Sequence, residues 1–540
     1  MDTPFAITLP VGTSRANHTG SWRVERPVYV DRLPPCNNAC PAGENIQGWL
    51  YAAESGDYES AWRTLVEDNP LPAIMGRVCF HPCETACNRV QVDEAVGINA
   101  VERFLGDTAI AHGWQLPEAG ADTGHHVLVV GSGPAGLSAT YHLRRLGHRV
   151  TLVDGAQQLG GMMRYGIPAY RLPRAVLDAE IARIIDLDVE VKLNHRVDDV
   201  EVERVVGHFD AVFLAVGAQI GRRVSVPAGD SSRIIDAVNF LHAVADDDPP
   251  LLGRRVVVYG GGDTAFDAAR TAKRLGATDA VIVYRRNREK MPASAEEFDQ
   301  ALGEGVTMRW LSTVSSFEGD RLMVEKMALN ADGFPEPTGE FEELDADALL
   351  LALGQDTDLT LIENHPEVTI DHGVLQVAPS MMTGLPGVFA GGDATPADRT
   401  ATVAVGNGKR AARGIDDYLN GRETIVPPKH DLAAFENLNT WYYADAPRTR
   451  RPELEKVRRQ GTFDEVILGL TEENALFEAR RCMSCGNCFE CDNCFGVCPD
   501  NAVVKLENNR YEFNYDFCKG CGICVVECPC GAIQMVPERM

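Results

Sequence analysis

The chain has 540 residues, 45% of them hydrophobic and 24% charged, enough for three or four domains with their own cores. No run of eighteen apolar residues could span a bilayer, and the first twenty residues lack the basic and apolar segments of a secretory signal, so a cytoplasmic chain is expected. A formal charge of −27 excludes a nucleic-acid footprint, which needs clustered positive charge to neutralise phosphates. The sixteen cysteines fall only within 36–87 and 482–530. Clustered Cys-x-x-Cys spacing in a long chain points to metal rather than to disulfides.

Residues 1–30 show no periodicity and read as an arm lying over another surface. From 31 to about 120, cysteine-bearing turns alternate with helical segments whose Ile46, Leu50, Ala53, Trp62 and Leu65 recur at helical spacing. Between 125 and about 425 the pattern becomes strand, glycine turn and helix, the mark of doubly wound parallel sheets. Two units in this stretch, 125–154 and 254–286, are a diverged internal repeat.

In the first unit an apolar strand enters Gly131-x-Gly133-x-x-Gly136, and Asp154 follows the last glycine by 18 residues. Gly131 permits the tight turn, Gly133 lets a pyrophosphate approach the backbone, and Gly136 lets helix pack on strand. Asp154 is placed to accept from a ribose hydroxyl. The second unit carries Gly260-x-Gly262-x-x-Ala265, and its second strand ends in Arg285-Arg286 where an acid would mark an unsubstituted ribose. Guanidinium groups match a 2′-phosphate, so NADP(H) is expected ahead of NAD(H), with a solvated arginine pair as the bland reading.

The tail holds two full bacterial ferredoxin runs, Cys488, Cys491, Cys494, Cys498-Pro499 and Cys518, Cys521, Cys524, Cys528-Pro529. In that pattern the fourth cysteine serves the opposite cluster, so Cys488, Cys491, Cys494 and Cys528 form one [4Fe-4S] set and Cys518, Cys521, Cys524 and Cys498 the other. Two zinc sites are the poorer rival, since the triple spacing is not zinc's. Cys530 is spare.

The strings GGMMRYGIPAYRLP (160–173) and GVFAGGDATPADRTATVAVGNGKRAA (387–412) resemble the glutamate synthase small-chain family, flavoproteins of glutathione-reductase type. The resemblance implies an α/β chain: a helical iron–sulfur N-terminal domain, two nested Rossmann-like domains and a C-terminal ferredoxin-like α+β domain. It places FAD on Gly131, Ser132, Gly133, Pro134, Ala135, Gly136, Asp154, Gly160, Gly161, Gly217, Gly392, Asp393, Thr402 and Val403. NADP(H) would sit on Gly260, Gly262, Asp263, Thr264, Ala265, Arg285, Arg286 and Gly354. The expected boundaries are 1–30 arm, 31–120 iron–sulfur domain, 121–249 and 346–425 FAD domain, 250–345 NAD(P) domain, 426–475 linker and 476–540 ferredoxin domain. Hydride passes between cofactors, so no catalytic acid, base or nucleophile is demanded. The absence of cysteine from 88 to 481 excludes the redox-active pair of a disulfide reductase unless another domain supplies it.

The N-terminal strings CNNACPAGENIQGW and GRVCFHPCETACNRV resemble the cluster domain of the same family, also present in dihydropyrimidine dehydrogenase. By that resemblance Cys40, Cys79, Cys83 and Glu102 hold one [4Fe-4S] cluster, while Cys36 and Cys87 are half of a second. The family's upstream Arg-Cys-x-x-Cys is missing here, but LTEENALFEARRCMSC (470–485) is similar to it. Two readings stand: Cys482 and Cys485 fold back to complete the second set, or the N-terminal region holds a single cluster. His81 is read as a turn residue, not a ligand. Trp441, Tyr442, Tyr443 and the basic run 448–451 read as a covering segment, with partner docking as the rival.

The ferredoxin tail makes the chain look most like NAD(P)-linked subunits of 2-oxoacid:acceptor oxidoreductases or those associated with sulfite reductase. The expected function is electron transfer between NADP(H), through FAD, and an iron–sulfur partner. A glutamate synthase small chain, a free-standing NADPH:ferredoxin oxidoreductase and a non-enzymatic redox sensor are the alternatives.

Overall fold

The computed structural model describes residues 18–222, 224, 226–228, 233–507 and 510–538. Two five-stranded parallel sheets form its centre. The first runs Val388–Ala390, Ala211–Leu214, His126–Val130, Arg149–Val153, Glu190–Lys192. Its strands are near-continuous apolar runs, as burial on both faces requires. The second runs Thr307–Trp310, Asp279–Tyr284, Arg255–Gly260, Ala348–Ala352, Ile234–Asp236. It reaches past the 250–345 expected for the nucleotide module, because its central strand Arg255–Gly260 is buried and is paired on its other edge by Ala348–Ala352. A three-stranded antiparallel sheet over 312–345 packs against it.

The helical iron–sulfur region and the first sheet share one hydrophobic core, in which Trp49, Trp62, Leu65 and Met75 are continuous with Val127, Leu137, Phe213 and Ile415. The two regions therefore behave as one body. Tyr141 and His142, on the helix Pro134–Arg145, also bond to the carbonyls of Val66 and Asp68 at 2.8 and 3.2 Å.

Residues 1–17 of the expected arm lie outside the described residues, and its described part adds a strand to the ferredoxin region. Glu25–Tyr29 pairs antiparallel with Ile533–Pro537, register Glu25 to Pro537. Arg23 forms an ion pair with Glu538 at 2.6 Å and donates to the Cys518 carbonyl at 2.9 Å. The ferredoxin core is small and built largely of cysteine, with Cys494, Cys524, Cys528 and Cys530 packed on Tyr511, Ile533 and Tyr29.

The 426–475 segment lies over the molecule. Arg448 pairs with Glu84 and Arg450 with Glu94, both at 2.5 Å, while Arg451 donates to Asn99 at 3.1 Å. The basic run thus staples the segment to the iron–sulfur region. Tyr443 donates to the Met483 carbonyl at 3.0 Å, and Trp441 is 88% exposed.

Candidate electron-transfer site

Each glycine of the first cradle has the geometry its position requires. A Cβ on Gly131, at φ +100°, would lie 2.3 Å from the Ala215 carbonyl, and one on Gly136 would lie 1.8 Å from the Gly131 carbonyl. A Cβ on Gly133 would meet nothing within 4 Å. The open space stands at the N-terminus of the helix Pro134–Arg145, where backbone amides and the helix dipole favour phosphate. Asp154 accepts from the Ser132 amide at 2.8 Å and hydroxyl at 2.5 Å, which fixes its carboxylate beside the turn.

Two cavities of about 270 and 430 Å³ adjoin across Gly131, Asp154, Gly161, Val216 and Gln219. Together they form one continuous trough. One end is lined by Gly155, Ala156, His195 and Thr360, the other by Gly392, Asp393, Thr400 and Ala401. The residues fit FAD, which when bound links two-electron to one-electron transfer. Burial pushes the Asp393 carboxyl up while Arg399 pulls it down. Thr400 caps the helix Ala401–Leu419 by accepting from the Val403 amide at 3.2 Å, and Thr400 and Ala401 bring that N-terminus to the trough.

Gly217 lines the trough with Ser132, Pro134 and Ala135, and Gly160 donates to the Ser132 hydroxyl at 3.1 Å. Thr402 and Val403 do not line it. Thr402 is buried on the other side, where its hydroxyl donates to Met75 Sδ at 3.5 Å. The 3.6-residue turn carries it away from Thr400, Ala401 and Ala404, which face the trough.

The second cradle opens toward the same cavity. A Cβ on Gly260 would lie 2.2 Å from the Ala352 carbonyl and one on Gly262 would meet nothing within 4 Å. Asp263 and Thr264 begin the helix Asp263–Arg274, whose helical face buries Ala265, and both line the flavin-side cavity. Gly354, at φ +109°, turns the chain beside the Arg222 side chain, and the neighbouring Gln355 lines the cavity. Arg285 and Arg286 follow the strand Asp279–Tyr284, outside that cavity.

The two cradles are locked together by a charge cluster that sequence reasoning missed. Arg171 bonds Asp267 at 2.7 Å and Glu297 at 2.8 Å. The Tyr170 ring lies under Arg274 and Arg270, 3.7 and 4.7 Å from the centroid, and both arginines pair with buried Glu304. The string GIPAYRLP offered the signal: a Tyr-Arg pair in the connection between the helices Met162–Tyr165 and Arg174–Ile185.

The cysteines fall into groups. Burial pushes the Cys83 thiol up, as do its neighbours Cys79, Glu84, Cys40 and Glu102. Glu102 is buried; burial first, then Glu44, hold its carboxyl well above the usual range, and Asn69 bridges the two acids at 3.0 Å. The Cys36 thiol is raised by burial and by Cys482, Cys87 and Cys485, and the four line one small cavity. Cys482 and Cys485 reach it because Arg89 donates to the Arg481 carbonyl at 2.7 Å and Gln47 to the Ser484 hydroxyl at 2.6 Å.

In the tail, Cys494 has Cys488, Cys491 and Cys528 as neighbours, and Cys524 has Cys518, Cys498 and Cys521. Among the described residues no three His, Cys, Asp or Glu side chains converge tightly enough for a single metal ion. The thiolates of each Cys set are the ligand type that a [4Fe-4S] cluster takes. The His81 backbone amide donates to Cys79 Sγ at 3.2 Å, so His81 serves that turn through its main chain.

Val78 and Phe80, flanking Cys79, line the trough together with Gly131, Asp263 and Thr264. The sequence placed them beside a cysteine ligand but gave no hint that they touch the flavin side.

No helix among the described residues is long and apolar enough to cross a membrane. The pyridine nucleotide-disulphide oxidoreductase model matches residues 125–408, dihydropyrimidine dehydrogenase domain II, 4Fe-4S cluster, matches 26–114, and the 4Fe-4S binding domain matches 511–534. The chain is 34% identical to the NADP(+)-dependent formate dehydrogenase subunit beta of Moorella thermoacetica, over 84% of this chain and 70% of that one. It is 31% identical to the NADPH-Fe(3+) oxidoreductase subunit beta of Geobacter sulfurreducens, over 86% and 77%. It is 32% identical to the glutamate synthase [NADPH] small chain of Azospirillum brasilense, over 72% and 87%. The chain belongs to the pyridine nucleotide-disulphide oxidoreductase family, as an FAD- and [4Fe-4S]-dependent NAD(P)H oxidoreductase.

Proposed function

We propose that this chain passes electrons between NADP(H), bound on the second cradle, and an iron–sulfur partner subunit, through FAD in the trough and four [4Fe-4S] clusters. The observation that carries it is the sharing of one cavity by both cradles and by Val78 and Phe80, either side of Cys79. Nicotinamide and flavin meet there for hydride transfer, and the first cluster, on Cys40, Cys79, Cys83 and Glu102, adjoins it. The second set is Cys36, Cys87, Cys482 and Cys485, and the ferredoxin pair follows. Arg285 and Arg286 supply the preference for a 2′-phosphate.

The relatives' names attach formate, ferric iron and glutamate chemistry to similar chains, so we assign the choice of substrate to the partner rather than to this chain. A 2-oxoacid:acceptor oxidoreductase is one such partner. The clustered cysteine sets suit a reducing cytoplasm.

The test is an anaerobic preparation assayed for iron, flavin and reduction by NADPH. The reading expects about sixteen irons from four cubanes and one FAD per chain, with the flavin bleached by NADPH before the clusters. Iron near twelve would remove the fold-back of Cys482 and Cys485. Material without bound flavin would sink the proposal.

A further inference from the structure

Two side chains outside the ligand sets touch ligand sulfurs of the ferredoxin region. The Tyr29 hydroxyl lies 3.4 Å from Cys494 Sγ, and Cys530 Sγ lies 3.7 Å from Cys528 Sγ. Cys494 and Cys528 belong to the same set of four, with Cys488 and Cys491. Between a hydroxyl and a thiol either atom can donate. Once Cys494 and Cys528 are bound to iron as thiolates they have no proton, so the direction is fixed: Tyr29 O–H and Cys530 S–H must donate.

We propose that Tyr29 and Cys530 are positioning residues that raise the reduction potential of the cluster on Cys488, Cys491, Cys494 and Cys528. Reduction adds one electron to that cluster, with no bond made or broken and both donors keeping their protons. The added negative charge spreads onto the ligand sulfurs, so a hydrogen bond to sulfur stabilises the reduced state more than the oxidised one. The protein environment strengthens the effect, since Cys494, Cys528 and Cys530 are all buried.

The geometry is built rather than incidental. Tyr29 arrives on the strand Glu25–Tyr29, some 465 residues from Cys494, and its ring stacks on Phe513 with centroids 4.6 Å apart. Cys530 is 2% exposed, and its carbonyl accepts from the Gly486 amide at 2.6 Å, next to Cys485 of the preceding set. The tuned cluster is therefore the one that adjoins the N-terminal sets, and a higher potential there favours withdrawing electrons from them.

This inference rests on the proposed ligand sets, and the experiment separates the two. Whole anaerobic chains of wild type, Tyr29→Phe, Cys530→Ala and Tyr511→Phe are assayed for iron and titrated electrochemically with electron paramagnetic resonance detection. Tyr511 donates to Asp492 and to the Glu490 carbonyl beside the same set, not to a sulfur. At wild-type iron content, Tyr29→Phe and Cys530→Ala are each expected to move the same cluster signal to a lower potential, while Tyr511→Phe leaves it in place. Unchanged potentials in both variants, or shifts of two different signals, overturn the inference. Loss of one cluster's iron in Cys530→Ala also overturns it, by making Cys530 a ligand. A wild-type chain without tail iron defeats the ligand assignment, and this inference with it.

Discussion

Replacing Gly133 by alanine separates a cofactor cradle from a mere turn. Gly133 has φ −68° and ψ −175°, an ordinary conformation for alanine, and its added Cβ would meet no protein atom within 4 Å. Stability should change by no more than about 0.5 kcal/mol. The methyl group does fill the approach of the pyrophosphate to the helix amides. Each hydrogen bond to a charged acceptor is worth about 1.5–3 kcal/mol, so losing one or two weakens FAD by roughly tenfold to twenty-thousand-fold, at about 1.4 kcal/mol per factor of ten. Gly131→Ala should behave oppositely. At φ +100° and 2.3 Å from the Ala215 carbonyl, it costs about 1–3 kcal/mol of backbone strain and a similar amount of overpacking, and the domain itself fails. The assay is flavin titration of purified chains, with iron content and thermal unfolding measured alongside. Gly133→Ala is expected to keep its iron and melting temperature and lose flavin, and the parallel Gly262→Ala to keep flavin but resist reduction by NADPH. A Gly133→Ala chain that binds FAD as tightly as wild type would falsify the assignment of the first cradle.

Arg285→Ala combined with Arg286→Ala should cut the NADPH over NADH preference by at least tenfold, through kcat/KM for NADPH, for the loss of about 1.4 kcal/mol or more of phosphate contact; an unchanged ratio removes the pair from the site. Arg171→Ala leaves buried Asp267 without its cation and Glu297 with Arg270 alone, so a destabilisation of about 3–5 kcal/mol is expected, seen as a lowered melting transition of the nucleotide domain; Arg171→Lys should recover part of it. His142 donates to the Asp68 carbonyl and is lowered by burial to about 3. It is neutral in the folded chain and takes a proton on unfolding below about 6.5. Its contribution is complete above that pH and is lost as pH falls toward 3, by at most about 1.4 kcal/mol per unit. Urea unfolding between pH 7 and 5 should show a slope that shrinks in His142→Gln.

Local chemistry was readable because it is written in consecutive residues. The glycine spacing of both cradles, the ferredoxin runs and the phrase around Cys482 each occupy a short string. What the sequence hid depends on contacts between distant strings. The pairing of Glu25–Tyr29 with Ile533–Pro537 spans the whole chain, and a five-residue strand with Pro27 in it carries no periodic signature. The roles of Tyr170 and Arg171 are equally hidden, since an arginine bound for solvent and one bound for Asp267 look alike until the second domain is docked. Thr402 stands one helical step from the trough: its neighbours Ala401 and Ala404 line it, while Thr402 packs toward Met75.

The same contacts decide whether the ferredoxin region is a tethered shuttle or a fixed relay. A shuttle needs a single flexible connection. Here the region is held by the strand Glu25–Tyr29 and by Asn439, whose amide donates to the Pro529 carbonyl at 3.2 Å and whose side chain donates to the Val526 carbonyl at 2.8 Å. These anchors come from two separated parts of the chain, so releasing one leaves the other. The tail cysteines are thereby held in place relative to Cys36, Cys87, Cys482 and Cys485. Electron transfer falls steeply with distance, and a fixed relay keeps every step short without waiting for a domain to swing. Motion, if turnover needs any, is left to the partner, which must reach the exposed Cys491 and Cys521 edges.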